Sequence, residues 1–544
     1  MADDSGSISR RSFVTATLAA GALLGTGVTP SFAGIAGARR VPGRASESDV
    51  QEKSIRELQL AMQSGAVTSR GLVEAYRKRI GELDHDLHSV LELNPDALSI
   101  ADAMDAERKS GKVRGPLHGI PILIKDNIAT ADKMQTAAGS LALVGARPPR
   151  DAFVAERLRA AGAVILGKTN LSEWANFRSS HSSSGWSGRG GQCRNPYALD
   201  RTPSGSSSGS AVAAAASLCA AAIGSETNGS IVSPSATCSL VGIKPTVGLV
   251  SRSAIIPISA SQDTAGPIAR TVMDAAIVLG AIAGADPRDK ATLARGAVRA
   301  TDYTAGLDAG ALKGARIGVA RKNYFGYSPV TDSITKNALD LMRAQGAVLV
   351  DPVDEGKMGE IGDAEIEILL YEFKSGLNEY LAGLGNGDHP RTLKDLIAYN
   401  TAHHDTELKY FGQELFEQAQ ERGPLTDAKY VRALAKARTN TRAQGIDAVM
   451  DAHKLDAIVA PTNGPAWLID LVNGDADSGG SSSPAAIAGY PSITVPAGYA
   501  FGLPVGISFF GRAWSEAKLI KLAYAYEQAA KVRRAPRLER TAAL

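Results

Sequence analysis

The chain of 544 residues has little of what would indicate a metalloprotein, a disulfide-stabilised fold or a nucleic-acid-binding protein. Its three cysteines, Cys193, Cys219 and Cys238, cannot all pair within one chain, and none shows CxxC spacing. The eight histidines include no HExxH motif, so we expect no metal site and no cofactor. A net charge of +3 is small for this length and gives no reason to expect nucleic acid as a partner.

The N-terminus also lacks an apolar run long enough to span a membrane, which takes roughly 20 residues. An uncharged stretch rich in Gly, Ala and Thr covers residues 14–28, shortly after the pair Arg10-Arg11. A twin arginine before a modest apolar region predicts a Tat-type export signal over residues 1–33, with cleavage near Ser31-Phe32-Ala33. We therefore expect a periplasmic or secreted protein without stable membrane insertion.

Helical and strand-like patterns alternate along the rest of the chain. Residues 152–161 predict a helix, and Ala163-Val-Ile-Leu-Gly167 predicts the strand that follows it. Such alternation is typical of βαβ units and predicts an α/β fold whose sheet is covered by helices on both faces. Residues 365–436 predict a charged, mostly helical stretch, which either shapes a pocket or is a solvated surface.

Lys125 stands at the end of the apolar run Ile120-Pro-Ile-Leu-Ile-Lys125. A buried ammonium is costly, so a lysine in this place tends to lose its proton. The unperturbed pKa near ~10.4 leaves well under ~0.1% of a lysine neutral at pH 7, so burial must lower that pKa before Lys125 can act as a base. A salt bridge with a carboxylate such as Asp126 is the alternative interpretation.

Two serine-bearing segments follow the lysine. Ser206 lies in Gly205-Ser-Ser-Ser-Gly209, within a Gly/Ser-rich region that has the composition of a linker but continues directly into an alanine-rich helix former. Ser230 ends Gly224-Ser-Glu-Thr-Asn-Gly229-Ser230. A base close to a serine produces a nucleophile, whereas an isolated Ser230 would be an ordinary helix cap.

The backbone ahead of Ser230 predicts an oxyanion site. If a helix begins at Ile231, the successive N–H groups from Thr227 through Asn228 and Gly229 to Ser230 surround one point and can stabilise a tetrahedral oxyanion.

A competing motif centres on Ser207. The run Gly205-Ser-Ser207-Ser-Gly209 matches Gly-x-Ser-x-Gly, the nucleophile elbow of α/β-hydrolases, and histidines for a triad are available at His389, His403, His404 and His453. That elbow follows a strand, however, and residues 194–203 form a poor strand pattern.

Together the lysine and serine segments resemble the amidase signature family. Pro116-Leu-His-Gly-Ile-Pro-Ile-Leu-Ile-Lys125-Asp126 is similar to the lysine motif of that family, and the likeness runs from about Ser54 to Arg534. It includes Ala460-Pro-Thr462, Gly489-Tyr-Pro-Ser-Ile-Thr-Val-Pro496 and Gly502-Leu-Pro-Val-Gly506. The resemblance implies one large mixed β-sheet covered by helices on both faces, here as a single catalytic domain over residues 49–540, preceded by a flexible segment at 34–48.

The same resemblance implies the roles of the residues. Ser230 is expected to be the acylated nucleophile, Ser206 the bridging serine after a cis peptide bond at Gly205–Ser206, and Lys125 the base. Asn228 replaces a glycine of the family pattern, and its side chain could enter the acyl pocket. With Tyr371-Glu-Phe-Lys, this variation is most similar to the bacterial members that convert C-terminal amides of peptides to acid and ammonia.

Other functions remain open from the sequence. Aryl and aliphatic amides are alternative substrates to peptide amides, and one component of a tRNA-dependent amidotransferase shares the signature, although the export signal argues against it. A binding protein that kept the fold without activity is the remaining alternative. We expect a small-molecule or peptide amide as the partner, and the sequence indicates no oligomeric state.

Overall fold

The computed structural model of the protein describes residues 45–46, 49–294, 302–385 and 387–543. The predicted export signal at residues 1–33 lies outside these residues, as does most of the predicted flexible segment 34–48. In the described part, no helix is both long and apolar enough to cross a membrane.

One mixed sheet of eleven strands forms the centre of the described structure. The described residues form thirteen strands in all, two of them outside this sheet: β1 (Val90–Leu93), β2 (Pro121–Lys125), β3 (Val164–Thr169), β4 (Trp186–Ser187), β5 (Gly191–Gln192), β6 (Ala221–Glu226), β7 (Val241–Lys244), β8 (Thr264–Ala269), β9 (Arg316–Val319), β10 (Val348–Val350), β11 (Ala457–Pro461), β12 (Ser492–Ala500) and β13 (Leu503–Phe510). The order across the sheet is β1-β3-β2-β6-β8-β7-β12-β13-β11-β9-β10, while β4 and β5 form a separate hairpin.

The sheet contains both parallel and antiparallel pairs of strands. Strands β3, β2 and β6 are parallel neighbours, as are β10, β9 and β11, and the remaining pairs are antiparallel. In the register of β2 with β6, Ile124 lies opposite Ile223. The carboxyl ends of these two strands are therefore adjacent, which brings Lys125 and Ser225 to the same edge of the sheet.

Helices cover both faces of this sheet. They are α1 (Ile55–Gln63), α2 (Ser69–Leu87), α3 (Ala97–Lys109), α4 (Phe153–Ala160), α5 (Ser208–Ala215), α6 (Val232–Thr237), α7 (Val272–Ile282), α8 (Pro329–Ala344), α9 (Ala364–Ala382), α10 (Leu393–Ala402), α11 (His404–Glu407), α12 (Glu414–Gln420), α13 (Ala428–Thr441), α14 (Asp447–His453), α15 (Ser483–Ala488) and α16 (Glu516–Ala530). Every residue of β2, β3, β6 and β8 is buried, and because side chains alternate along a strand, both faces must be covered. The predicted α/β class with a large mixed sheet is confirmed.

Local sequence signals explain the first two helices. Ser54 and Glu57 form a capping box at the start of α1, and the Thr68 hydroxyl accepts the N–H of Gly71 at the start of α2. Gly65, with φ of 74°, lies in the break between the two helices. The break at Gly65 and the cap at Thr68 therefore separate two helices.

The Gly/Ser-rich region is packed structure and not a linker. All eight residues of α5 are buried, and the helix contacts β2, β3, β6 and β8. A Cβ on Gly209 would lie 2.6 Å from the backbone nitrogen of Asn170, so only glycine allows the two backbones this approach. Small side chains therefore place the serines of this segment directly against the sheet.

Candidate active site

Lys125 ends β2 as a fully buried residue. Its Nζ lies 2.8 Å from Ser206 Oγ, 3.0 Å from Ser225 Oγ and 3.1 Å from the Ser225 carbonyl oxygen. Burial lowers the pKa of Lys125 to about 7, and the charges of Asp263 and Glu226 act in the opposite direction. A substantial fraction of Lys125 is therefore neutral at neutral pH and can accept a proton.

The alternative salt bridge of Lys125 with Asp126 does not form. Asp126 instead pairs with Arg189 at 3.0 Å and accepts the N–H of Gly139 at 3.0 Å. Among the ion pairs of the described residues, none involves Lys125.

Ser206 follows a cis peptide bond at Gly205–Ser206, as the family resemblance implies. A Cβ on Gly205 would overlap Ser172 Oγ, so this position has no room for a side chain. The Ser206 hydroxyl is nearly fully buried and accepts a hydrogen bond from Lys125 Nζ.

Ser230 lies in the loop that joins β6 to α6. Its carbonyl oxygen accepts the N–H of Ser207 at 3.1 Å, which ties this loop to the residue after Ser206. The residue at the N-cap of α6 is Ile231, without a side-chain cap, so Ser230 is not an ordinary helix cap. The structure therefore brings the segments of Lys125, Ser206 and Ser230 together at the carboxyl ends of β2 and β6.

Glu226 holds the backbone on both sides of Ser230. Its carboxylate accepts the N–H groups of Gly229 at 2.9 Å, Ile231 at 2.7 Å and Val232 at 3.0 Å. Because the Gly229 N–H is already hydrogen-bonded, it is not a free donor in this structure. The role of Thr227, Asn228 and Gly229 in binding an oxyanion stays a prediction.

Two further carboxylates hold the side chains of this loop. The Thr227 hydroxyl donates to Asp263 Oδ1 at 2.6 Å, and Asn228 Nδ2 donates to Glu365 Oε1 at 2.8 Å. Asn228 Oδ1 accepts the hydroxyl of Ser482 at 2.6 Å. The Asn228 side chain is thus tied to its surroundings through both of its polar atoms.

Ser207, the centre of the competing elbow motif, takes part in structural hydrogen bonds. Its hydroxyl donates to the Ser225 carbonyl oxygen at 3.0 Å and accepts the Ser225 N–H at 3.2 Å, and the residue is completely buried. No histidine of the described chain is hydrogen-bonded to it. The structure does not support a nucleophile elbow at this serine.

A cavity of about 590 Å³ adjoins the site, a volume within the range of small-molecule pockets. Its lining includes Asn127, Ser225, Thr227 and Asp263, and Ser225 is the residue whose hydroxyl contacts Lys125. Apolar side chains line much of the rest: Pro148, Pro149, Ile255, Ile256, Pro257, Ile258 and Leu384. Lys125, Ser206 and Ser230 are not part of its lining.

In the described chain, no group of three His, Cys, Asp or Glu residues could hold a metal ion.

Comparison with known proteins identifies the family. A family model described as Amidase matches residues 71–520. The chain belongs to the amidase family. This amidase is 43% identical to a probable amidase of Arabidopsis thaliana over 502 residues, which cover 91% of this chain and 93% of the relative. It is 35% identical to a glutamyl-tRNA(Gln) amidotransferase subunit of Chloroflexus aurantiacus, over 88% of this chain and 97% of that one.

The amidase is also similar to solved structures. The native peptide amidase from Stenotrophomonas maltophilia is 53% identical and superposes with a TM-score of 0.86, over 90% of this chain and 99% of that chain. A structure of peptide amidase in complex with the competitive inhibitor chymostatin matches with the same identity and TM-score. These matches confirm the predicted resemblance to the amidase signature family and to peptide amidase, and they support an amide-hydrolysing enzyme.

Sequence reasoning predicted Lys125, Ser206 and Ser230 as site residues but missed the carboxylates that hold the loop of Ser230. Glu226 stands within the serine motif, shortly before Ser230, and a carboxylate in that place is a signal that could have been used. Asp263 and Glu365 lie in distant segments of the chain, and no local pattern relates them to the motif. Only the fold brings these two carboxylates to the loop.

Proposed function

We propose that this enzyme hydrolyses the C-terminal amides of peptides to a free acid and ammonia through a Ser-Ser-Lys triad. Ser230 attacks the carbonyl carbon while its proton passes to Ser206, and the Ser206 proton passes to neutral Lys125. The protonated lysine returns a proton through Ser206 to the leaving nitrogen, which departs as ammonia. Water then attacks the acyl-enzyme by the same route and releases the acid, so that the enzyme is regenerated.

The observation that carries the mechanism is the contact of buried Lys125 with Ser206. A distance of 2.8 Å between Nζ and Oγ is a hydrogen bond along which a proton can move, and a pKa of about 7 makes the lysine a base at neutral pH. Backbone N–H groups of the loop ahead of Ser230, other than the one of Gly229 that Glu226 accepts, would stabilise the oxyanion, for which one donor is typically worth about 3 kcal/mol.

The peptide-amide substrate is supported by similarity. The solved peptide amidase shares 53% identity over nearly its whole length, which exceeds the similarity to the other named relatives. The cavity lined in part by Ser225 combines apolar side chains with polar and charged groups, a composition that suits an acyl portion with a peptide backbone.

The test measures product release from three substrates: a blocked dipeptide amide, a simple aliphatic amide and an anilide. We expect ammonia from the dipeptide amide, with kcat/KM at least about tenfold above that for the aliphatic amide, and no release by Ser230→Ala. If the enzyme prefers the anilide or the aliphatic amide, the proposed peptide-amide substrate is rejected, while the proposed triad mechanism still holds.

The purified chain must act alone for this proposal to hold. Ammonia release without tRNA and without a second protein separates it from a component of an amidotransferase complex. A Ser230→Ala variant that is correctly folded and still fully active would reject the assignment of the nucleophile.

A further inference from the structure

Asp263 connects three parts of the active-site region. Its Oδ1 accepts the Thr227 hydroxyl at 2.6 Å, and its Oδ2 accepts the N–H groups of Ile258 and Ser259, each at 2.8 Å. The residue stands directly before β8, where Thr264 lies opposite Glu226 of β6. It thus holds the first residue of the nucleophile loop against the segment that lines the cavity.

Asp263 also lines the cavity together with Ser225, the residue that accepts a hydrogen bond from Lys125. Its negative charge favours the ammonium form of that lysine and opposes the effect of burial. Burial raises the pKa of Asp263 itself to about 6, and its hydrogen bonds act against that rise. The carboxylate is therefore mostly ionised at pH 7, where Lys125 titrates.

Several other charged groups face this region, and most of them are paired or hydrogen-bonded. Arg252, the cation that lowers the pKa of Asp263, is held by Asp289 at 2.7 Å. On the side of Lys125, Glu226 accepts three backbone N–H groups, and Asp126 pairs with Arg189. From α9, Glu372 accepts the Ser261 N–H, and Glu379 lines the cavity.

We propose that Asp263 is a positioning residue for amide hydrolysis: it fixes Thr227 at the start of the nucleophile loop, and its charge stabilises the ammonium that Lys125 becomes when it takes the serine proton. This inference rests on the proposed role of Lys125 as the base. The lysine gains a positive charge during each attack, whereas it is neutral beforehand. A fixed anion in the wall of the cavity therefore stabilises the transition state more than the resting enzyme.

The experiment compares pH profiles of kcat/KM for ammonia release by the full chain and its Asp263→Asn variant. Asparagine keeps the shape and can keep the hydrogen bonds, but it removes the charge. We expect the acidic limb to move to lower pH by about one unit, because Lys125 without a nearby anion loses its proton more easily. We also expect the plateau to fall about tenfold, because the ammonium is less stabilised.

Asp274→Asn is the matched control. Asp274 is a buried aspartate of α7 whose pKa is also raised to about 6, and it accepts the N–H of Ile55 instead of contacting the site. The pH profile of Asp274→Asn is expected to keep the acidic limb and the plateau of kcat/KM of the wild type. Thr227→Val should lower the plateau about tenfold, and Thr227→Ser, which keeps the hydroxyl, should restore it.

The outcomes separate this inference from the proposed function. If kcat/KM of the wild type shows no acidic limb that depends on Lys125, the assignment of Lys125 as the base is rejected, and both proposals fail with it. If the acidic limb of the Asp263→Asn profile lies at the same pH as in the wild type, the proposed effect of the Asp263 charge is rejected, whatever happens to the plateau. Asp263 would then be only a structural residue, and the role of Lys125 as the base would stand. If Asp263→Asn does not fold, as judged by thermal unfolding, Asp263→Ser removes the same charge with a smaller side chain and must move the limb in the same direction.

Discussion

Lys125 loses its proton more readily than an exposed lysine because burial removes the water that would stabilise its charge, which lowers its pKa to about 7. Since the neutral amine is the form that accepts the serine proton, we expect kcat/KM for ammonia release to rise with pH and to level off above about 7. Lys125→Met should lower kcat by at least about a thousandfold at every pH. Ammonia release measured between about pH 5 and 10, with circular dichroism to confirm folding, checks both statements.

If kcat/KM instead rises only near the unperturbed lysine pKa of ~10.4, Lys125 titrates like an exposed lysine. That result would contradict the lowered pKa expected from its burial. Residual activity of Lys125→Met with an unchanged pH profile would show that a different group takes the proton.

Glu226 gives a second test, because it acts through the backbone. In Glu226→Gln one acceptor oxygen becomes an NH₂ group that faces N–H donors, so the loop around Ser230 shifts. We expect kcat to fall about a hundredfold, which corresponds to about 3 kcal/mol of transition-state stabilisation. The measurement is kcat together with the midpoint of thermal unfolding.

Glu516→Gln serves as the comparison, because Glu516 is equally buried but accepts the Thr246 N–H, away from the triad. Its kcat should stay within about twofold of the wild-type value. Equal loss of activity in both variants would mean that Glu226 contributes only to general stability.

The residues that sequence reasoning could identify are those whose chemistry is unusual for their position. A lysine after an apolar run and serines among glycines stand out locally, and Lys125 and Ser206 do contact each other. Asp263 and Glu365 are ordinary acidic residues in their own segments. Their effect depends on a long-range approach to Thr227 and Asn228, which no local pattern encodes.

Helix α5 is the element whose packing tolerates least change. Gly209 lies against the backbone of Asn170, so Gly209→Ala adds a methyl group where no space exists. We expect this variant to lose about 1–3 kcal/mol of unfolding free energy, and to lose activity because α5 begins next to Ser206. Chemical denaturation followed by circular dichroism gives the change in free energy.

The same substitution at Gly81 in α2 should have the opposite sign. A Cβ on Gly81 meets no atom within 4 Å, so Gly81→Ala only replaces a poor helix former with a good one. We expect it to stabilise the protein by about 0.5–1 kcal/mol without a change in kcat. Destabilisation by both variants would contradict the explanation based on space.

Alternating strand and helix patterns predicted central elements such as β3, because buried strands such as β2 and β3 begin with short apolar runs. The helical stretch over residues 365–436 was ambiguous, since a charged helix can face solvent or a site. The structure resolves this through Glu365 and Glu372, which contact Asn228 and Ser261. Helix α9 thus contacts the loops around the active site, and two of its charged residues hold those loops through hydrogen bonds.

The chain as a whole combines a catalytic fold with an N-terminus that predicts export. Arg10-Arg11 precede the apolar stretch, and a second pair, Arg39-Arg40, follows the predicted cleavage site. Recognition of a Tat signal requires the first pair, so the double variant Arg10→Lys, Arg11→Lys should lower the exported fraction at least about tenfold. The enzyme retained in the cytoplasm should remain active, because Tat substrates fold before they cross the membrane.

The double variant Arg39→Lys, Arg40→Lys makes the same chemical change outside the predicted signal and should be exported normally. Ammonia release in cytoplasmic and exported fractions measures the distribution, and N-terminal sequencing of the exported protein should give a start between Gly34 and Ser46. If both double variants are exported like the wild type, the arginine pair is not a Tat signal. The predicted location would then be rejected, while the proposed chemistry at Ser230 would be unaffected, because it depends on residues 125–263 and not on the N-terminus.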